Sequence, residues 1–188
     1  MRIDSIFSRC SQPISFEMFP PKGELSLEAA RTVCEGFSQL DPSFISVTCS
    51  AGGSGNSGRT TEIAAMIRGD FSIPSVEHLT CQGLTRQGLV EKANEMREAG
   101  IENVLALRGD IQPGVAPGDF SFAKDIIPAL VDEGFCVGAA AYPEGHIDCI
   151  DFPKSIEHLK QKQDAGASFF VTQLFFDNEY FYRFREAA

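Results

Sequence analysis

Short apolar runs alternate with amphipathic stretches along almost the whole chain. Six runs have strand character: 14–19 (ISFEMF), 44–48 (FISVT), 76–80 (VEHLT), 103–107 (NVLAL), 136–141 (CVGAAA) and 168–173 (SFFVTQ). They are short and mostly apolar, as strands covered on both faces are. Between them apolar residues recur at three- and four-residue steps, as in Leu27, Ala30, Val33, Phe37, Leu40 and in Leu89, Ala93, Met96, Ala99, the spacing of one helix face. "REAG", "DEG" and "QDAG" each end a helical stretch just before a strand, and a glycine there predicts a left-handed cap. Pro128 lies within "FAKDIIPALVDEG", so that helix starts late or is kinked.

Strands alternating with helices predict βα units and a parallel sheet. Polar residues at the strand ends narrow the class. Glu17, Thr48, His78, Asp110, Tyr142 and Gln173 follow one another at 31, 30, 32, 32 and 31 residues. An even beat of polar side chains suits a (β/α)8 TIM barrel, whose strand C-termini converge on one mouth. Only six βα units are present, the last helix beginning at Asn178. Closure needs eight, so the chain reads as one barrel domain over 1–188, incomplete and cut from a longer protein. The glycine- and serine-rich stretch 50–60 (SAGGSGNSGRT) follows the second strand, where both active-site loops and tolerated surface loops occur.

Composition adds exclusions. A net charge of −10 argues against nucleic acid, which demands clustered Lys and Arg, but leaves room for a small phosphate-bearing ligand. No run reaches the length of a membrane span, and "MRIDSIFSRCSQ" lacks the apolar core of a signal peptide. The six cysteines have no CxxC pair, which reads as reduced thiols in a cytoplasmic protein.

Candidate chemistry clusters at the strand ends. In "ALRGDIQPG" Arg108 offers a fork of donors for phosphate, Gly109 permits close backbone approach, and Asp110 adds a carboxylate. Tyr142 and His146 in "AAYPEGH" supply a stacking ring and an imidazole. His78 and Thr80 share one strand face, yet the histidines (78, 146, 158) have no recognised metal-ligand spacing. Gln173 can hydrogen-bond in two directions to a heteroaromatic edge. Glu17 sits among Phe16, Met18 and Phe19, a setting expected to bury it and favour its protonated form. No GxGxxG, Walker A or GxSxG stretch occurs, nor a strand-end lysine for a Schiff base. Two acids, an Arg, a Gln and aromatic rings suit a site where a bound cofactor does the chemistry.

Six collinear stretches, "SFEMFPPKG", "FISVTCSAGG", "HLTCQGLTR", "NVLALRGD", "AAYPEGH" and "DAGASFFVTQLFFD", resemble the methylenetetrahydrofolate reductase family over about residues 14–185. The resemblance implies a flavoprotein in which NADH or NADPH reduces FAD, and FAD then reduces 5,10-methylenetetrahydrofolate to 5-methyltetrahydrofolate in a ping-pong cycle of one-carbon metabolism and methionine supply. It implies that Glu17 is the general acid opening the methylene-bridged ring, that Asp110 is the carboxylate between folate and flavin, and that Gln173 holds the pterin. Thr48, His78, Arg108, Gly109, Asp110, Tyr142 and His146 match FAD-binding positions, as do Phe122 and Ala123. From one helix His158 and Lys162 are implied too, Lys162 near the cofactor phosphates. Other members often differ at His158, carry a basic residue where Gln161 stands, and have two further βα units. The 188-residue chain is therefore expected to bind FAD weakly or not at all by itself and to turn over poorly, and the full-length protein to be a homo-oligomer. Two alternatives stay open: a relative reduced by an electron-transfer protein, and a catalytically silent barrel fragment serving as a binding module.

Overall fold

A computed structural model describes residues 1–20, 27–49, 57–110, 114, 117–146, 149 and 151–188. Most of the glycine-serine stretch (50–56), residues 111–113 after Asp110, and Pro21 in the first motif lie outside the described residues. In chain order the elements are α1 (Ile3–Arg9), β1 (Ser15–Met18), α2 (Leu27–Ser38), β2 (Phe44–Val47), α3 (Ser57–Phe71), β3 (Ser75–Thr80) and α4 (Arg86–Glu98). There follow β4 (Asn103–Leu107), α5 (Ile127–Asp132), β5 (Cys136–Ala141), α6 (Phe152–Asp164), β6 (Phe169–Thr172) and α7 (Asn178–Ala187).

All six strands are parallel and pair in sequence order, β1 to β6. Parallel crossovers are right-handed, so an order without reversal puts every crossover helix on one face and curls the sheet. The result is six strands of an incomplete (β/α)8 barrel. Strand alternation then separates two apolar layers. Ile45, Val47, Leu79, Val104, Ala106, Val137 and Ala139 face the helices and pack on Ala30, Ile63, Ile67, Ala93, Met96 and Leu130. Phe44, Val76, Leu105, Cys136 and Phe169 face the axis and pack on Ile3 and Ile6 of α1. Phe7 adds edge-on contacts to Phe44 and Phe169, with both pairs of ring centroids 6.3 Å apart. The short α1 thus forms the floor of the half-barrel. Asn103 ties it down: its Oδ1 accepts from Ile3 N at 2.9 Å, while its Nδ2 donates to Met1 O and Ser75 O at 3.1 and 3.0 Å.

Gly100, Gly134 and Gly166 take positive φ just past α4, α5 and α6, the caps that the sequence predicts. Pro128 falls in the first turn of α5, where its missing N–H costs nothing; the helix starts late, behind a 3-10 turn at Ala123–Asp125. The α4 pattern is buried through Leu89, Ala93 and Met96. The α2 pattern is not. Ala30 and Cys34 are buried, but Leu27, Val33 and Leu40 are exposed. The cause is position: α2 lies beside β1, the edge of the sheet, and packs on α3 alone among the helices with substantial contact to it. All six cysteines are free thiols.

Candidate active site

The strand ends that carry the predicted residues converge on one rim, but in two groups. Thr48, directly after β2, is buried, and its N–H donates to Met18 O at 2.9 Å. His78 faces the axis near the end of β3, and its Nε2 lies 3.8 Å from Glu17 Oε2 on β1. That Nε2 is buried without a hydrogen-bond partner. Burial lowers the His78 pKa to about 4, so the imidazole is neutral at physiological pH. Glu17 corrects an expectation. Its side chain is 46% exposed rather than buried. Successive strand residues point to opposite faces, so Phe16 stacks on Phe37 behind the sheet with centroids 4.6 Å apart and Met18 joins the helix-side core, while Phe19, just past the strand, is 73% exposed. Partial burial still raises the Glu17 pKa above the ordinary carboxylate value, the direction expected of an acid catalyst.

The second group lines a cleft between the ends of β4 and β5, the 3-10 turn and α6. Arg108, Phe122, Ala123, Tyr142, His146, His158 and Lys162 all border it. Tyr142 and His146 meet edge to face, centroids 4.7 Å apart. Lys162 Nζ donates to Ala140 O at 2.7 Å and stands 5.4 Å from the Tyr142 ring centroid; burial lowers its pKa and raises that of the Tyr142 hydroxyl, on which Arg108 and Asp110 act with opposite signs. Gly109 has φ +81°, and a Cβ there would stand 3.0 Å from Thr80 Cβ, so that turn favours glycine twice over. Asp110 and Gln173 are exposed at the rim and stand outside the cleft lining. Gln173 N–H continues the β6 ladder to Ala141 O at 2.8 Å.

Lys124, Cys149, Ser155, Leu159 and Phe184 also line the cleft, and sequence reasoning missed them. Ser155 and Leu159 were within reach, because with His158 and Lys162 they form one i, i+3, i+4, i+7 stripe of α6. Lys124 carried no such signal.

The cleft suits a flat ring bearing an anionic arm. Three cations (Arg108, Lys124, Lys162) and a tyrosine border it, and the described lining holds no carboxylate, in a chain of net charge −10. The family model for methylenetetrahydrofolate reductase matches residues 2–188. The chain belongs to the methylenetetrahydrofolate reductase family. The 5,10-methylenetetrahydrofolate reductase of Pectobacterium carotovorum subsp. carotovorum is 38% identical over 175 residues, covering 92% of this chain and 58% of that protein. Its Escherichia coli counterpart is 36% identical over 174 residues, with the same coverage of 92% and 58%. Methylenetetrahydrofolate reductase 1 of Schizosaccharomyces pombe is 34% identical, covering 89% of this chain and 29% of that one. The chain therefore spans somewhat over half of these bacterial reductases and under a third of the yeast one. Among solved structures, a Clostridium thermocellum protein described as binding two copies of 5-methyl-5,6,7,8-tetrahydrofolic acid superposes with a TM-score of 0.64 at 17% identity, over 99% of this chain and 63% of that one. Deoxyribose phosphate aldolase from Aeropyrum pernix gives 0.58 at 14% identity, over 96% and 76%. At such identities the two superpositions speak for the barrel fold alone.

Proposed function

We propose that this chain carries the flavin- and folate-binding part of a reductase that converts 5,10-methylenetetrahydrofolate to 5-methyltetrahydrofolate, drawing electrons from NADH or NADPH. The observation that carries this reading is the three-cation cleft beside Tyr142, with no carboxylate in its described lining, set on the same rim as an acid with a raised pKa. Family membership supports it.

The residues present fit FAD. Arg108 and Lys162 offer positive charge to its phosphates, Tyr142 a face for its ring, and His78 a buried nitrogen still lacking a partner. When bound, FAD supplies the hydride chemistry that no side chain here can perform. The chain's own work is with protons and charge. Glu17, whose pKa partial burial raises, gives a proton to the nitrogen that leaves the methylene bridge, and the ring opens to an iminium. Docked substrate would shield Glu17 further and raise its pKa again. Asp110 offers a carboxylate to the iminium cation, and Gln173 holds the pterin edge through its amide. Thr48, Gly109, Phe122, Ala123, His146 and His158 complete the cofactor contacts.

Replacing Glu17 by Gln removes the proton and keeps the shape. FAD uptake and its bleaching by NADH should persist in Glu17→Gln, while reoxidation by methylenetetrahydrofolate should slow by roughly a hundred- to ten-thousand-fold. Stopped-flow measurement of the two half-reactions separates these outcomes. Equal loss of both would remove Glu17 from its role, and a protein that never takes up flavin would remove the reading altogether.

A further inference from the structure

The cations of the cleft differ from the other paired lysines in what holds them. Lys92 meets the carboxylates of Glu77 and Glu95, at 3.0 and 3.1 Å, and Lys160 meets Asp164 at 2.9 Å. Lys124, in contrast, donates to the neutral amide oxygen Gln161 Oε1 at 2.8 Å, and Lys162 to a backbone carbonyl. An amide or carbonyl orients an ammonium group without cancelling its charge. The 3-10 turn that presents Lys124 is itself rigid: Asp125 Oδ2 accepts from Ser121 N and Phe122 N at 3.0 and 2.8 Å. That neighbouring carboxylate is thus engaged by the turn's own backbone. The Lys124 ammonium also stands 5.9 Å from the Phe122 ring centroid, so two contacts position it. Two partly buried ammonium groups, one from the turn and one from α6, therefore flank a lining with no described carboxylate. A pair of cations fixed in this way matches a dianion better than a single charge.

We infer that Lys124, seated by Gln161, is a diphosphate-binding residue of the cleft and makes it select a dinucleotide flavin over the phosphate-free riboflavin. This rests on the flavin reading above and deepens it, since it says which end of the ligand meets the turn at Ala123–Asp125. Gln161 is then a positioning residue, acting through Lys124.

The test titrates FAD and riboflavin separately into the wild-type protein, Lys124→Met and Lys124→Arg, following the flavin fluorescence. Met keeps the aliphatic stem on Phe122 and loses only the charge. Lys124→Met should weaken FAD by roughly ten- to a hundredfold, the worth of one charged hydrogen bond, and leave riboflavin unchanged. Lys124→Arg should restore most of the FAD affinity. Unaltered riboflavin binding also reports that the fold is intact. Unchanged FAD affinity in Lys124→Met, or the same loss for both flavins, would overturn the role of Lys124 while leaving the flavin site standing. A wild-type protein that takes up neither flavin would overturn both.

Discussion

His78 and Glu17 face each other across 3.8 Å as a neutral base and an acid, and each is perturbed in the direction that keeps it uncharged. Desolvation is the leading cause in both. For His78 this has a consequence for stability. Its pKa is about 4 in the folded protein and about 6.5 in an unfolded chain, so between those values the unfolded state binds more protons. Stability from this residue is present above pH 6.5 and falls as pH is lowered towards 4, by up to about 1.4 kcal/mol per pH unit. Glu17 acts in the opposite sense, its contribution being lost as pH rises through its raised folded pKa, and its exposure keeps that effect small. Urea unfolding from pH 7 to 4.5 should therefore show a steeper loss in the wild-type protein than in His78→Gln; parallel curves would mean that the imidazole is not buried in solution. At this scale the sequence was informative about identity and weaker on environment. The 30- to 32-residue beat located Glu17, His78 and Tyr142, yet alternation turns Phe16 and Met18, the neighbours of Glu17 in sequence, to the opposite face of the sheet.

Lys92 joins α4 to β3 and α3 through a buried hub. Its ammonium contacts Glu77 Oε1 and Thr61 Oγ1, and the Thr61 hydroxyl donates to the same Glu77 oxygen at 2.8 Å. Glu77 is fully buried, and its second oxygen has no hydrogen-bond partner. Removing one member of such a pair strands the other charge. Lys92→Met is expected to cost about 3–5 kcal/mol, whereas the double change to Met at both Glu77 and Lys92 should recover much of it. Because desolvation already raises the Glu77 pKa, the single variant should be weakest at alkaline pH, where the carboxyl must stay charged. Chemical denaturation at pH 6 and 8 checks this, and a cost below about 1 kcal/mol would reduce the hub to an ordinary surface pair. The sequence could not show this hub, since Glu77 and Lys92 look like any solvated charges until strand and helix faces are known. It also could not show α1, too short for a clear period, or the exposure of Leu27 and Leu40, which depends on α2 lying at an edge.

Over the whole molecule, the order of strands was legible because each βα unit repeats the same pattern and connects to the next. Completeness is a different matter. β1 and β6 are the edges of the six-stranded sheet, and a parallel edge offers a row of unpaired backbone groups. Exposed apolar side chains stand near both, Ile14 and Phe19 at one and Leu174 and Phe176 at the other, Phe176 being 92% exposed. The 188-residue chain should therefore self-associate as its concentration rises, and Leu174→Glu with Phe176→Glu should return it towards monomer. Sedimentation velocity decides this, and a monodisperse wild-type protein at all concentrations would show that the edges are protected. The floor helix has a further consequence, in time rather than space. α1 precedes every strand in the chain, but the surface it sits on runs from Phe44 on β2 to Phe169 on β6. The sheet can grow strand by strand through near-neighbour pairings, whereas α1 cannot finish docking until β6 is laid down. During synthesis Ile3, Ile6 and Phe7 must wait with part of their partner surface missing. This long-range contact, closed late, is the step at which a growing chain would be most exposed to chaperones or to its own copies.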